Sequence, residues 1–99
     1  MFNHVMLGAT DIEASKKFYD ATLGVLGAKP GYKHIGHGGV VRYMYFLDGG
    51  TFLISEPLDG NSASHGNGAT IGFKAKDTAT IDEWHKIGED NGGVTCEDP

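Results

Sequence analysis

The chain has 99 residues, 39% of them hydrophobic, with 13 acidic against 8 basic side chains and a formal net charge of −5. That length holds one domain with one modest core, and the mixture of apolar residues with both charge signs predicts a soluble globular protein. An acidic balance without clustered Lys and Arg argues against nucleic acid, no apolar run reaches bilayer-spanning length, and a lone Cys96 excludes an internal disulfide framework. No charged-then-apolar leader precedes Phe2, so the expected compartment is the cytoplasm. The 16 glycines predict short strands and tight turns, and Cys96 reads as a small, half-buried strand residue.

The opening FNHVMLGATDIEASKKFYDATLGVLGAK reads as a strand, a short turn and an amphipathic helix. Alternation puts Phe2, His4, Met6 and Gly8 on one strand face and Asn3, Val5, Leu7 and Ala9 on the other. Ile12, Phe18, Tyr19, Leu23 and Leu26 recur at helical spacing, while Glu13, Lys16, Lys17 and Asp20 fall outside that stripe. Thr10 and Glu13 have the spacing of a capping box, Asp11 adds a charge that the helix dipole favours, and Gly24 and Gly27 supply a stop. The Val5 face is the natural seat for this helix, which leaves His4 on the opposite side.

Residues 28–34 read as a strand interrupted by Pro30 and Gly31, and 34–39 as a glycine-spaced turn. VVRYMYFLDGGTFLISEP has the pattern of a β-hairpin, with β-branched and aromatic runs on either side of Asp48-Gly49-Gly50. Its first strand carries Arg42, Met44 and Phe46 on one face, and Tyr43 and Tyr45 on the other. Two readings of the Arg42 face stay open. It lines a concavity where the arginine holds an anionic group and Met44 and Phe46 give apolar contact, or it is an aromatic core with a snorkelling arginine. Pro57 ends the hairpin, and residues 58–68 form a polar, glycine-rich linker that carries His65. His34, His37 and His85 read as surface or packing residues.

Residues 69–75 alternate again, with Ile71, Phe73 and Ala75 on one face. Thr80 and Glu83 have capping-box spacing, Ile81, Trp84, Ile87 and Asn91 set a helical stripe, and Gly92-Gly93 stops it. Val94 to Cys96 begins a further strand. Sliding the chain by 66 positions brings Val5 onto Ile71, Leu7 onto Phe73, Asp11 onto Asp77, Phe18 onto Trp84 and Gly27 onto Gly93. The matches fall on strand packing positions, a helix start, a buried helix position and a helix stop, which predicts a duplicated unit.

The opening HVMLGATDIEASKKFY, the strand FLISEP and the run GNGATIGFKAKDTATIDEWHKIGEDNGG resemble the vicinal-oxygen-chelate superfamily of glyoxalase I, bleomycin-resistance proteins and extradiol dioxygenases. The resemblance implies an α+β fold of paired βαβββ modules, forming a curved mixed sheet with helices on its convex face and the ligand in the concavity. It implies one domain here, with a first module over 1–57, a loop over 58–68 and a partial second module over 69–99.

Metal-dependent members of that superfamily place ligands at positions matched by His4, Glu56 and Thr70, plus a carboxylate on the last strand of module two. The resemblance therefore implies His4 and Glu56 as metal ligands, with Glu56 also catalytic, and puts Thr70 among the substrate contacts; Arg42, Met44 and Phe46 join those contacts on the first of the two readings of their strand face. A neutral imidazole and a carboxylate suit Zn, Ni, Mn or Fe(II). Threonine at position 70, where a metal-binding member has histidine, and the lack of a counterpart to the fourth ligand before residue 99 depart from that pattern. The readings that follow are a metal-dependent lyase or dioxygenase, a metal-free small-molecule binding protein of the drug-sequestering kind, or a fragment of a longer enzyme. An unpaired sheet edge and uncovered apolar surface further predict a homodimer, formed either side by side or with exchanged modules.

Overall fold

The computed structural model describes residues 1–97, so the last two positions of the 69–99 segment lie outside the described residues. Four strands and two helices form in the order β1 (Val5–Gly8), α1 (Ile12–Val25), β2 (Tyr32–Ile35), β3 (Val41–Leu47), β4 (Gly50–Ser55) and α2 (Thr78–Asp90). The strands make one mixed sheet ordered β1-β4-β3-β2, with β1 parallel to β4 and the other neighbours antiparallel. The first βαβββ unit is complete. No helix among the described residues is long and apolar enough to cross a membrane.

The hairpin shows how local chemistry sets the register. Leu47 pairs with Gly50, which leaves Asp48 and Gly49 as a two-residue turn with φ of +51° and +78°. Positive φ at both central positions is the turn whose twist matches paired strands, and Asp-Gly is among its preferred sequences. That turn fixes which side chains go inward. Tyr43, Tyr45, Phe52 and Ile54 are buried against α1 together with Ile12 and Leu23, while Val5 and Leu7 pack at the margin of the same cluster. Tyr19 meets Phe52 at a ring-centroid distance of 4.9 Å, and Phe73 adds an edge-on contact to Phe52 at 5.3 Å. Such pairs contribute about 0.5–1.5 kcal/mol each beyond area burial.

Between α1 and β3 lies a polar seam. The Tyr43 hydroxyl donates to Glu13 at 2.7 Å and that of Tyr45 to Asp20 at 2.7 Å, while Lys16 pairs with Asp20 and sits over the Tyr43 ring. Glu13, Lys16 and Asp20 thus lie on the sheet side of the helix and not outside its packing stripe, because two buried phenols need partners there. Burial, then the hydrogen bond to Asp20 and its charge, hold the Tyr45 hydroxyl far above its ordinary pKa. The hydrogen bond to Glu13, with burial, raises Tyr43.

The helix starts differ from expectation. Asp11 caps α1, accepting the Ala14 N–H at 3.1 Å, because the Thr10 hydroxyl accepts from Ala63 and Glu13 is engaged by Tyr43. Asp77 caps α2, accepting the Thr80 N–H at 2.8 Å and the Thr80 hydroxyl at 2.6 Å. Asp11 and Asp77 are the pair brought together by the 66-position slide. Both helices also end alike. Ala28 N–H reaches Leu23 O and Gly27 N–H reaches Gly24 O, with Gly27 at φ +104°; Gly93 N–H reaches Gly88 O and Gly92 N–H reaches Glu89 O, with Gly92 at φ +100°. These are matching Schellman stops, the second arriving one residue early. The two helices pack on each other, with Gly88 against Thr22 and Phe18.

The strand of the second copy does not form. Residues 69–75 join no ladder, and residues 94–96 are likewise outside any strand. The equivalent strand of the first copy, β1, is stabilised by pairing with β4, and among the described residues 69–75 has no such partner. Cys96 is exposed, not a half-buried strand residue, for the same reason.

Candidate functional site

The register separates the sheet into a covered and an open face. Tyr43 and Tyr45, 4% and 1% exposed, lie under α1, so Arg42, Met44 and Phe46 share the open face, where Phe46 is 58% exposed. Of the two readings of that strand, the tyrosine face is the core and the arginine face lines the surface opposite the helices. Ser55, Leu53 and Thr51 are the cross-strand partners of Arg42, Met44 and Phe46 on β4. On β2, His34 pairs with Arg42 and Tyr32 with Met44. On β1, Met6 pairs with Leu53 and Gly8 with Ser55. The result is a face with Met6, Tyr32 and Phe46 exposed, Met44 half-buried, Leu53 buried at 8%, and one arginine at its end. A cavity of about 460 Å³ opens where Tyr32, Met44 and Phe46 meet Lys29 and Pro30.

His4 and Glu56 are not brought together. His4 precedes β1, is exposed, and its Nδ1 lies 2.9 Å from Asn3 Oδ1. Glu56 follows the far end of β4, beside Ala9, whose N–H donates to Ser55 O. Five residues of strand separate His4 from Ala9, roughly 16 Å at the usual rise. The carboxylate also has another task. Its Oε1 accepts the Val41 N–H at 2.7 Å, while the Glu56 N–H donates to Val41 O at 3.0 Å, so the residue ties the end of β4 to the start of β3. Among the described residues no three His, Cys, Asp or Glu side chains lie close enough to hold a metal ion. The donor set among the described residues therefore does not fit a mononuclear Zn, Ni, Mn or Fe(II) centre, which needs at least three protein ligands.

Thr70 lies apart from Arg42, Met44 and Phe46. It lines a larger cavity, about 610 Å³, at the free edge of β1, between Leu7–Thr10 and Ala69, Ile71 and Phe73. His65 borders the same cavity, alongside Ser15, Tyr19 and Phe52. Sequence reasoning missed His34, Tyr32 and Ser55 as members of the open face. Their strand pairing with Arg42 and Met44 carried the signal, but Pro30 and Gly31 hid the register of β2.

The family profile described as Glyoxalase/Bleomycin resistance protein/Dioxygenase superfamily matches residues 1–98. Among solved structures, a glyoxalase/bleomycin resistance protein from Albidiferax ferrireducens T118 is similar over all of this chain and 78% of its own, with 49% identity and a TM-score of 0.90. A search of curated proteins found no match. With an open sheet face opposite the helices, a complete βαβββ unit and a profile match across nearly its whole length, the chain belongs to the glyoxalase/bleomycin-resistance/dioxygenase superfamily.

Proposed function

We propose that this protein binds a small organic molecule over the open face of its sheet, through Arg42, Met44 and Phe46, without a metal centre built on His4 and Glu56. The observation that carries this reading is the face itself. Met6, Tyr32 and Phe46 are exposed to solvent at 44%, 66% and 58% on a surface that no helix covers, and apolar exposure of that kind marks a ligand or partner surface. Superfamily membership supports the reading, because the fold of these proteins presents that face to ligands. The strap from Glu56 to Val41 supports it further, by giving the carboxylate a structural role.

The discriminating measurement is metal content of the purified protein, with His4→Ala and Glu56→Gln beside it. The expected result is no stoichiometric divalent metal in any of the three. Metal at one equivalent that is lost in His4→Ala overturns the reading in favour of a metal-dependent lyase or dioxygenase. The proposal includes a homodimer, in which a second copy covers the free edge of β1 and Thr70 joins the ligand contacts from across that edge. An unpaired edge, and the exposed Ile71 in the cavity that β1 lines, support this arrangement. Light scattering that gives the mass of one chain at micromolar concentration overturns it.

A further inference from the structure

The side chains around Arg42 give the ligand a chemical class; this deepens the open-face reading and rests on it. Arg42 is half-buried, and its guanidinium is held from two sides. On one, Nε donates to Ser55 Oγ at 3.0 Å, and that hydroxyl donates onward to Glu56 O at 2.7 Å, so its lone pairs are turned to the arginine. On the other, the guanidinium lies against Gly36. A Cβ there would stand 2.8 Å from Arg42 Cζ, 2.9 Å from Nε and 2.9 Å from Val40 Cγ2. Gly36 has φ −84°, which any residue adopts, so its missing side chain serves this close approach.

The held guanidinium is unspent. Among the described residues no carboxylate pairs with Arg42, and its terminal amines have no acceptor. The chain carries 13 acidic side chains, yet none of the β1–β4 residues on the open face is Asp or Glu. The cross-strand partner of Arg42 on that face is His34, a second nitrogen donor. The open face thus presents an immobilised planar cation with no acidic side chain on its strands to neutralise it.

We infer that the ligand is an organic anion, a carboxylate or similar oxyanion joined to a flat apolar or aromatic body. The anionic group takes the two terminal amines of Arg42 in the bidentate geometry that a guanidinium fork matches. The body lies along Met44 and Phe46, four residues of strand or roughly 13 Å in all. Its far end enters the cavity of about 460 Å³ beside Tyr32 and Lys29. Ser55 and Gly36 are positioning residues, acting through Arg42.

The test uses 2-naphthoate and its uncharged isostere 2-naphthamide, titrated calorimetrically into the full chain at neutral pH. The expected result is saturable binding, with the acid about tenfold or more tighter than the amide, as a charge-assisted bidentate contact provides. Arg42→Gln removes that preference, Arg42→Lys keeps part of it, and Gly36→Ala weakens the acid while leaving the amide unchanged. Acid and amide binding the wild-type protein equally overturns the anion assignment, and this comparison needs no variant to fold. If that equal binding is lost in Phe46→Ser, the open-face reading stands and only the anion assignment falls. Binding of neither probe overturns both.

Discussion

The Tyr45 hydroxyl and the Gly31 N–H converge on one carboxylate oxygen, Asp20 Oδ1, at 2.7 and 2.8 Å. One side chain of α1 thereby anchors the inner face of β3 and the approach to β2. Burial pushes the Asp20 carboxyl up, but the hydrogen bonds from Gly31, Lys16 and Tyr45 and the Lys16 charge outweigh it, and the group sits below its ordinary value of 3.8. Asp20→Ala is expected to cost about 2 kcal/mol, because the Gly31 N–H loses its acceptor and a buried phenol keeps only the longer contact to Lys16 O at 3.3 Å. The sign of the pH dependence follows from the depressed folded-state value. The carboxylate's contribution is complete above pH 3.8 and disappears as pH falls through the lower folded value. Urea denaturation at neutral and acid pH checks this: the gap between wild type and Asp20→Asn closes as the solution is acidified.

Gly31 itself has no room for a side chain. A Cβ there would lie 2.8 Å from both Cζ and the hydroxyl oxygen of Tyr45 and 3.1 Å from Tyr43 Cβ. Gly31→Ala is expected to destabilise by about 1–3 kcal/mol, the range for overpacking a filled core. Combined with Tyr45→Phe, the two losses should be less than additive, since the phenol oxygen is one of the colliding atoms. Additive losses would show that the strain lies elsewhere.

Two glycines three residues apart, one within α1 and one just past its end, are expected to respond with opposite signs. Gly24 lies within the helix and a Cβ there meets nothing within 4 Å, so Gly24→Ala should stabilise by about 0.5–1 kcal/mol. Gly27, at φ +104°, holds the Schellman stop, and Gly27→Ala should cost about 1 kcal/mol. Thermal melts of the two variants, read as shifts of Tm on either side of wild type, decide the matter.

His4 and Glu56 differ in the same kind of assay. Glu56→Ala frees the Val41 N–H at a half-buried strand junction and should cost about 1 kcal/mol, whereas His4→Ala, at an exposed site, should change stability by less than about 0.5 kcal/mol. Equal and large losses for both would indicate that the two residues share a partner.

The parts of this fold legible in the sequence were those whose cause is local. Alternation around Asp48-Gly49 found the β3–β4 hairpin and put Arg42, Met44 and Phe46 on one face, and helical spacing found α1 and α2. The cap residues were misread because Thr10 and Asp11 are both competent caps. What decided between them was tertiary, Ala63 and Tyr43 having claimed Thr10 and Glu13. Residues 69–75 carry the alternation of a strand yet form none, since a ladder needs a partner that no local pattern supplies. Glu13 and Asp20 looked solvated because they are charged. Two inward tyrosines a strand-repeat apart were the available sign that acceptors must stand opposite them. His4 and Glu56 matched a pattern of types along the chain, and only the parallel register of β1 and β4 reveals that their positions lie at opposite ends of the pair.

The Asp48-Gly49 turn also decides which side chains of β4 reach the open face. Because side chains alternate with period two, one residue inserted into that turn rotates all of β4 by a half-step. Phe52 and Ile54 would emerge toward solvent, and Ser55, the hydroxyl that orients Arg42, would sink beneath the helix. On the open-face reading proposed above, loop length here is coupled to the Arg42–Ser55 contact as tightly as any residue that makes it, so diversification of this hairpin should proceed by substitution or by paired insertions, and single-residue indels should be purged.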